Sequence, residues 1–301
     1  MTIITLRGAV AMFFLFLVFP LAAEPVSVTP GAPAEDRREF IEQYIDNLLY
    51  MVYIDEKIQV PAGDDFLYRR AIAAANDYLA RKKMGTVVLD QIENLRRDHT
   101  ALVEEVQGEN MSLVQWLAQK LNADVYIVID VRAPAEKRGR QYFAQATLNL
   151  KVMEASTGLL LGSKSYNQLD RSVGSNAETA RGNAVQICVS RIMNDVIEIA
   201  RSTMREAAEK GIRYELVLLG TQDADAMLDF VEKLKTVNED VTAVESSYRS
   251  DSEAKYVVFY FGAPGTFERL VYAIAETIPG LEGMKLVSQR GKSFTFTTGM
   301  Q

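Results

Sequence analysis

The sequence predicts a mixed α/β (α+β) chain of two domains, an α/β sandwich over residues 35–210 and a ferredoxin-like βαββαβ domain over residues 211–301. Three observations predict this class. Residues 124–130 (DVYIVID) are apolar on both faces, as in a central strand that is covered on each side. Residues 174–210 form one long amphipathic helix that ends at Gly211. After that glycine the periodicity changes in the order strand, helix, strand, strand, helix, strand.

The amino terminus predicts export. One cation, Arg7, precedes an apolar run at residues 9–19, and small residues follow up to Ala23. This order is typical of a signal peptide (residues 1–23) cleaved after Ala23, so we expect a periplasmic or secreted protein with no stable membrane insertion after cleavage. A retained membrane anchor is the alternative, but the run is shorter than the roughly 20 residues that span a bilayer. Residues 24–34, which are rich in proline, are predicted to be an exposed linker.

The first domain begins with a helix near residue 35, where apolar side chains recur at helical spacing. Residues 49–53 fit either the end of that helix or a buried strand, and we favour the strand. Further helices are predicted at residues 66–83, 90–106 and 112–121. Residues 141–153 alternate between apolar and polar side chains, which predicts one half-exposed strand. A tight turn at residues 154–158 then leads into a strand at residues 159–169, which completes a three-stranded meander.

The long helix carries an apolar stripe that is expected to bury the sheet. Its members step by four and three residues: Val185, Val189, Ile192, Val196 and Ile199. Cys188 lies beside the stripe and is the only cysteine in the chain, so it has no partner for an intramolecular disulfide. We predict that Cys188 is a small buried hydrophobe rather than a reactive thiol.

The second domain is predicted from shorter segments. Strands are expected at residues 214–219, 241–248 and 255–261, helices at residues 224–235 and about 267–278, and a hairpin at residues 284–287 and 294–296. Arg290 and Gly291 supply the turn of this hairpin. The order is that of a ferredoxin-like sandwich with one extra terminal strand.

Composition and charge exclude several classes of protein. The chain has 301 residues, of which 48% are hydrophobic and 24% charged, as in an ordinary globular protein. Its net charge of -7 has the wrong sign for general binding to a phosphate backbone, so we expect no nucleic-acid partner. One histidine, His99, and one cysteine leave few residues for general bases, thiol nucleophiles or zinc sites. We therefore predict no enzyme, no catalytic, cofactor-binding or metal-binding residues, and no cofactor.

Three features resemble parts of functional sites but do not match a known motif. Residues 158–165 (GLLLGSKS) would match a phosphate-binding loop if Ser163 were glycine, but they lie in a predicted strand rather than between a strand and a helix. His99 lies on an apolar helical stripe with no second ligand nearby. Asp124 and Asp130 flank the central strand, about 20 Å apart at roughly 3.3 Å per residue, which is too far to share one scissile bond. We expect a structural role for both acids.

Two segments are candidates for contact with a partner. Residues 132–140 (RAPAEKRGR) are predicted to be a basic loop, bounded by Arg132 and Arg140, that is long enough to stand away from the sheet. A solvated connection between strands is the alternative. The other candidate is the terminal hairpin, whose Phe294 and Phe296 belong either to the core or to a partner surface.

The first domain resembles a known family of domains. Residues 112–130 (SLVQWLAQKLNADVYIVID), residues 144–163 (AQATLNLKVMEASTGLLLGS) and the long closing helix are similar to the α/β domain of bacterial envelope proteins over residues 49–210. Those proteins are TolB in its amino-terminal domain, the curli secretion channel lipoprotein, the lipoprotein activators of penicillin-binding proteins, and flagellar assembly protein T. The whole mature chain resembles a family of uncharacterised secreted bacterial proteins. This chain lacks a lipidated cysteine after the signal and the repeated blades of the TolB propeller.

The resemblance implies a non-catalytic envelope adaptor or assembly protein that docks other proteins, as part of flagellar or outer-membrane machinery. An alternative is a periplasmic protein that binds a small ligand in the groove between the two domains. The sequence leaves the partner and the oligomeric state open.

Overall fold

The computed structural model describes residues 34–54, 58–98 and 112–299. The predicted signal peptide, residues 24–33 of the predicted linker, and His99 lie outside the described residues. The fold is the mixed α/β arrangement that the sequence predicts, and its strands form three sheets. None of the helices in the described ranges is long and apolar enough to cross a membrane.

The first half of the chain alternates helices and strands up to one long helix. In chain order it contains α1 (Ala34–Asp46), β1 (Leu49–Ile54), α2 (Asp65–Arg81), β2 (Gly85–Thr86), α3 (Leu89–Asp98), α4 (Leu113–Lys120), β3 (Val125–Arg132), β4 (Ala135–Arg138), β5 (Gln141–Ala144), β6 (Thr147–Glu154), β7 (Leu160–Asn167), β8 (Ser172–Gly174) and α5 (Ala177–Ala208). Ser112 caps α4, because its Oγ accepts a hydrogen bond of 3.1 Å from the backbone N–H of Gln115.

Five of these strands form the main sheet, in the order β2-β1-β3-β6-β7. β1 pairs in parallel with β2 and β3, whereas β3, β6 and β7 form the predicted antiparallel meander. The favoured strand at residues 49–53 is confirmed as β1, and its four central residues are buried. Asp124 lies directly before β3, at the amino-terminal end of the parallel pair that β1 and β3 form.

The stripe on α5 is confirmed as the core of the first half. Val185, Val189, Ile192 and Val196 are buried, and Ile199 packs partly buried against them. Cys188 is fully buried, with its Sγ 3.4 Å from the carbonyl oxygen of Ala146. Burial raises the pKa of the Cys188 thiol to about 11, so this thiol is a packing group, as predicted.

The prediction of one strand over residues 141–153 is wrong, and so is the prediction of a loop at residues 132–140. The chain forms β4 and β5 as a hairpin that turns at Gly139 and pairs with β8 in a separate three-stranded sheet, and β6 starts only after Ala146. The alternation of apolar side chains continues across the break, because Ala144 and Ala146 are both buried. Side-chain periodicity reports burial and not the pairing partner, so it could not reveal this change of sheet.

The second half contains β9 (Ile212–Leu219), α6 (Ala224–Thr236), β10 (Val241–Arg249), β11 (Glu253–Tyr260), α7 (Pro264–Ala275), β12 (Lys285–Arg290) and β13 (Ser293–Thr297). This is the predicted order of elements. The sheet has the order β10-β11-β9-β13-β12. Its core holds Tyr214 stacked on Phe267, with 4.6 Å between the ring centroids, and both Phe294 and Phe296 are fully buried.

The extra strand occupies an interior position. β13 pairs in parallel with β9 and antiparallel with β12, so it lies between the two strands that a plain βαββαβ unit would place side by side. The hairpin therefore inserts into the sheet, and its aromatic side chains belong to the core. The turn between β12 and β13 points at the first half of the molecule, where Gly291, with a φ of 56°, approaches Ser156.

Candidate functional site

A buried lysine lies where the two halves meet. Lys292 follows Gly291 in the turn of the terminal hairpin, and 8% of its side chain is exposed. Its backbone N–H donates a hydrogen bond of 3.1 Å to Ser156 Oγ, and its backbone carbonyl accepts one of 3.0 Å from Glu215 N–H. The turn is therefore fixed to the first half through Ser156 and to its own sheet through Glu215.

Three side chains of the first half surround the ammonium group of Lys292. Its Nζ lies 2.6 Å from the Tyr44 hydroxyl, 3.1 Å from Glu154 Oε1 and 3.9 Å from Asp124 Oδ1. Tyr44 comes from α1, Asp124 precedes β3, and Glu154 ends β6. We call these four residues the Lys292 cluster. A buried ammonium is tolerated only when it is paired and hydrogen-bonded, and these contacts meet that condition.

The carboxylate of Glu154 is positioned by the turn between β6 and β7. Glu154 accepts hydrogen bonds from Thr157 N–H (2.7 Å) and Thr157 Oγ1 (2.6 Å), and another from Ser156 N–H (3.2 Å). Gln119 of α4 donates to the carbonyls of Ala155 and Ser156, which fixes the turn on the helix. The tight turn that the sequence predicts thus builds the receptor for Lys292.

Asp124 is held at the other side of the cluster. Its Oδ2 accepts a hydrogen bond of 3.0 Å from the backbone N–H of Leu49, and its carbonyl accepts one of 2.9 Å from Ala155 N–H. This carboxylate therefore ties β1 and the turn to the start of β3. These contacts are consistent with the structural role that the sequence predicts for Asp124, which stays a prediction.

Burial and charge act in opposite directions within the Lys292 cluster. Burial opposes the charge of Lys292, but Tyr44, Glu154 and Asp124 outweigh it and raise the pKa of the ammonium well above its ordinary value. For Glu154, burial is outweighed by Lys292 and by the Thr157 hydrogen bonds, and its pKa is lowered. For Asp124 burial prevails over Lys292, and the pKa is raised. Burial also raises the pKa of Tyr44.

The space beside the Lys292 cluster is small. A cavity of about 40 Å³ is lined by Tyr44, Glu154, Thr157 and Lys292 together with apolar side chains such as Met204. This volume is close to that of one water molecule. The polar atoms of the cluster are engaged with each other and with backbone groups, so the arrangement joins the halves.

Helix α1 makes a second bridge between the halves. Arg37 donates a hydrogen bond of 2.9 Å to the carbonyl of Glu239, and its guanidinium lies 5.1 Å from the centre of the Phe261 ring. On its other side, Glu42 of α1 accepts two hydrogen bonds, of 2.7 and 2.9 Å, from Arg205 of α5. The helix is thus fixed to α5 and to the second sheet together.

The alternative function predicted from the sequence places a small ligand in the groove between the halves. This groove has a volume of about 550 Å³. It is lined by Arg37, Arg38, Ile41, Glu42, Arg205, Glu209, Lys210, Thr242, Ala243 and Phe261. Two of its four cations, Arg37 and Arg205, are already engaged in the contacts described above.

An open groove on the first half has a different character. Leu169, in the loop after β7, is 86% exposed, and Ile187 of α5 and Val173 of β8 are 43% and 42% exposed. The loop and the outer face of α5 enclose about 740 Å³, lined also by Arg171 and Arg191. We call this the Leu169 groove. Exposed apolar side chains that cluster in a concavity mark contact surfaces more often than scattered ones do.

The basic segment predicted as a contact loop adjoins the Leu169 groove. Glu136 of β4 accepts a hydrogen bond of 2.9 Å from Arg138 and one of 3.3 Å from Arg171, so the hairpin and the groove share one carboxylate. The terminal hairpin, the other predicted contact surface, instead directs Lys292 into the interface between the halves.

The remaining candidates of the sequence do not assemble into a site. Asp130 accepts a hydrogen bond from Asn149, away from the Lys292 cluster that contains Asp124. The glycine-rich segment 158–165 lies in a turn and in β7, so its backbone groups pair with β6 rather than forming an open loop. Among the described residues, no group of three His, Cys, Asp or Glu side chains is arranged to hold a metal ion.

Comparison with known proteins gives limited likenesses. No family model and no curated protein matches this chain. Among solved structures, lipoprotein GNA1162 from Neisseria meningitidis aligns with 50% of this chain and 99% of its own, at 14% identity and a TM-score of 0.30. The PelC dodecamer subunit from Paraburkholderia phytofirmans aligns with 50% of this chain and 88% of its own, at 11% identity and a TM-score of 0.30. Protein XCC0632 from Xanthomonas campestris aligns with 62% and 97%, at 14% identity and a TM-score of 0.29.

These three structures are bacterial proteins, and one of them is a lipoprotein. None of them is TolB, so the particular resemblance to TolB stays a prediction. TM-scores near 0.3 do not place the chain in the families of these proteins.

Proposed function

We propose that this chain is an exported, non-catalytic adaptor of the bacterial envelope that docks another protein. The observation that supports it best is the contrast between the Lys292 cluster and the Leu169 groove. The buried Lys292 cluster is closed and joins the halves, whereas the Leu169 groove is open and presents apolar side chains to solvent. A protein built in this way offers a surface rather than a reactive centre.

Joining the halves serves such a role. A docking surface loses less conformational entropy on binding when its supporting elements are already fixed relative to one another. Here α5 carries one wall of the Leu169 groove, and its other end is tied through Arg205 to α1, which in turn contacts Phe261 of the second half. These contacts therefore link the element that carries the groove wall to the second half.

The proposal is tested by capture from the native envelope. The mature chain with a carboxy-terminal affinity tag is cross-linked in living cells, purified, and analysed for co-purifying proteins at defined stoichiometry. The complex is then rebuilt from the purified chain and the purified candidate partner. A reconstituted complex of fixed stoichiometry is expected. A chain that stays monomeric and partner-free in both measurements contradicts the proposal.

A second candidate function follows from the groove between the halves. Arg38 and Lys210 are exposed there and add positive charge to its rim, which favours a small anionic ligand. Native mass spectrometry of the chain purified without denaturation would show a bound small molecule. Arg38→Glu with Lys210→Glu should abolish that binding. The ligand hypothesis is wrong if the retained mass is unchanged by this pair of substitutions.

A further inference from the structure

We infer that the Leu169 groove binds an acidic amphipathic segment of the partner protein, with two or three apolar side chains flanked by carboxylates. The inference rests on the proposed function and adds the site and the chemistry of the partner. It is carried by three observations: an apolar side chain held out into solvent, a braced loop beneath it, and arginines around it.

Leu169 is held in its exposed position by its neighbours. Gln168 is buried, its Nε2 donates 2.9 Å to Ser172 Oγ, and its Oε1 accepts from Ala146 N–H at 3.2 Å. The carbonyl of Leu169 itself accepts a hydrogen bond of 2.8 Å from Gln145. A leucine on a loose loop could fold back onto the surface, but this backbone is fixed on both sides of the side chain. The loop therefore presents Leu169 to a partner at little entropic cost.

Apolar side chains continue from Leu169 along α5. Ile187 lines the groove, and Val173 lines a smaller depression of about 290 Å³ that shares Ile187 with it. On the neighbouring strand Phe143 pairs with Val173, and the guanidinium of Arg138 lies 6.0 Å from the Phe143 ring centre. Leu169 and Ile187 therefore line one groove, and Val173 and Ile187 line the depression next to it, an arrangement that suits side chains from one segment of a partner.

The charges around this path favour a partner of opposite sign. Arg171 and Arg138 share the single carboxylate of Glu136, which leaves their combined charge only partly neutralised. Arg191 lines the groove and forms no ion pair with any residue of the described ranges. The hairpin beside it adds exposed Lys137 and Arg140. This basic rim belongs to a chain whose net charge is -7, so it is a local feature rather than the general character of the surface.

A protein segment fits these features better than a phosphate surface does. Lipid headgroups and nucleic acids present their phosphates on a broad, polar surface, whereas the arginines here surround a concavity that contains apolar side chains. The exposed leucine and isoleucine also lie within the concavity, where they would meet side chains of a narrow ligand. The surface therefore matches alternating apolar and acidic side chains.

Site-specific photo-crosslinking in the full mature chain tests the inference. The photoreactive residue benzoylphenylalanine replaces Leu169 in one variant and Leu228 in the control, because Leu228 is 52% exposed on α6 in the other half. After irradiation of living cells, cross-linked peptides are identified by mass spectrometry. We expect position 169, but not position 228, to cross-link to an acidic segment of one envelope protein that contains apolar residues.

A synthetic peptide of the cross-linked segment then gives the affinity by fluorescence anisotropy. Leu169→Ser should weaken its binding by about tenfold to a hundredfold, because a leucine side chain is removed from the contact. Arg171→Glu with Arg191→Glu should weaken it further and reduce its dependence on salt. Leu228→Ser and Arg269→Glu serve as matched controls and should bind as the wild-type chain does.

The outcomes separate the inference from the proposed function. Cross-linking at position 169 to lipid, to a second copy of this chain or to a basic segment contradicts the inference. So does a partner captured from the envelope whose binding is unaffected by Leu169→Ser and by both arginine substitutions, although docking as such would stand. If neither capture nor cross-linking yields any partner, the proposed function itself fails.

Discussion

The ammonium of Lys292 lies 3.1 Å from Glu154 Oε1, although the two residues belong to different halves of the molecule and each side chain is about nine-tenths buried. Ion pairs on a surface contribute little because water competes for both charges. A buried pair is different, since neither charge regains hydration if the other is removed. The interface between the halves therefore depends on the integrity of this cluster more than on any exposed ion pair nearby.

The first prediction concerns Lys292. Lys292→Met should lower the free energy of unfolding by about 3 to 5 kcal/mol, because Glu154 and Asp124 would remain buried without their cation. Urea denaturation followed by circular dichroism measures the change. Lys285→Met, on an exposed position of the same hairpin, is the matched control and should stay close to the wild-type stability. A wild-type midpoint for Lys292→Met would show that the cluster contributes nothing to the interface.

The second prediction is a pH dependence. The pKa of Glu154 is lower in the folded chain than in the unfolded chain, so its stabilising contribution is present above the ordinary glutamate pKa of about 4.3 and is lost as the pH falls through the folded value. Wild type should therefore be more stable than Glu154→Gln at pH 7, and this difference should shrink as the pH falls below about 4.3.

Comparing the two chains measures the Glu154 charge together with its coupling to Asp124, because the charge of Glu154 also contributes to the raised pKa of Asp124. Urea midpoints measured at a series of pH values between neutrality and strong acid give the difference directly. A difference that stays constant across the whole series would show that the charge of Glu154 does not stabilise the fold.

The sequence predicts the parts of this fold that depend on burial within one element. The central strand β3, the stripe on α5 and the cap at Ser112 all follow from local periodicity or local chemistry. It does not predict β2, a strand of only two residues whose place depends on pairing with β1. It also gives no position for β13, because order along the chain does not determine which strand enters the middle of a sheet.

The two candidate sites are not predictable from the sequence. Tyr44, Asp124, Glu154 and Lys292 are separated by up to 248 positions, and each one taken alone resembles an ordinary surface residue. Of the four, the sequence marks only Asp124 as a candidate, because it flanks a predicted central strand. For the Leu169 groove, the run of polar residues around Leu169 predicts a loop, but nothing local indicates that the backbone on both sides of this leucine is hydrogen-bonded.

The third prediction compares two isoleucines on the same helix. Ile192 is 1% exposed and Ile187 is 43% exposed. Ile192→Asp should unfold the first half, because an unpaired buried charge costs several kcal/mol. Ile187→Asp should remain folded, since its carboxylate stays in water. Near-ultraviolet circular dichroism and size-exclusion chromatography distinguish the two states. A folded Ile192→Asp chain would mean that the stripe does not face the core in solution.

The fourth prediction concerns Cys188. Cys188→Ala should lower the free energy of unfolding by only about 1 to 2 kcal/mol and leave partner binding unchanged, because the thiol fills space and its pKa is raised to about 11 by burial. In the native wild-type chain the thiol should react with iodoacetamide far more slowly than in urea. Fast modification under native conditions, or loss of partner binding in a folded Cys188→Ala chain, would make the thiol functional.

The fifth prediction is that residues 211–301 fold without the rest of the chain. Their sheet pairs only with itself, and Tyr214 stacks on Phe267, which in turn lies 5.3 Å from Phe294 between ring centroids. Separation would expose Lys292 to water instead of leaving it buried without a partner, so the fragment avoids the cost that Lys292→Met imposes on the full chain.

We expect this fragment to show mixed helix and strand signals by circular dichroism and one cooperative urea transition at a lower midpoint than the full chain. The lower midpoint follows from the loss of contacts such as the one between Phe40 of α1 and Phe261, whose ring centres are 6.4 Å apart. The same fragment with Phe267→Asp is the unfolded control, because Phe267 is fully buried in this half. If the unaltered fragment behaves like this control, the second half needs α1 and the Lys292 cluster to fold, and the two halves form a single cooperative unit.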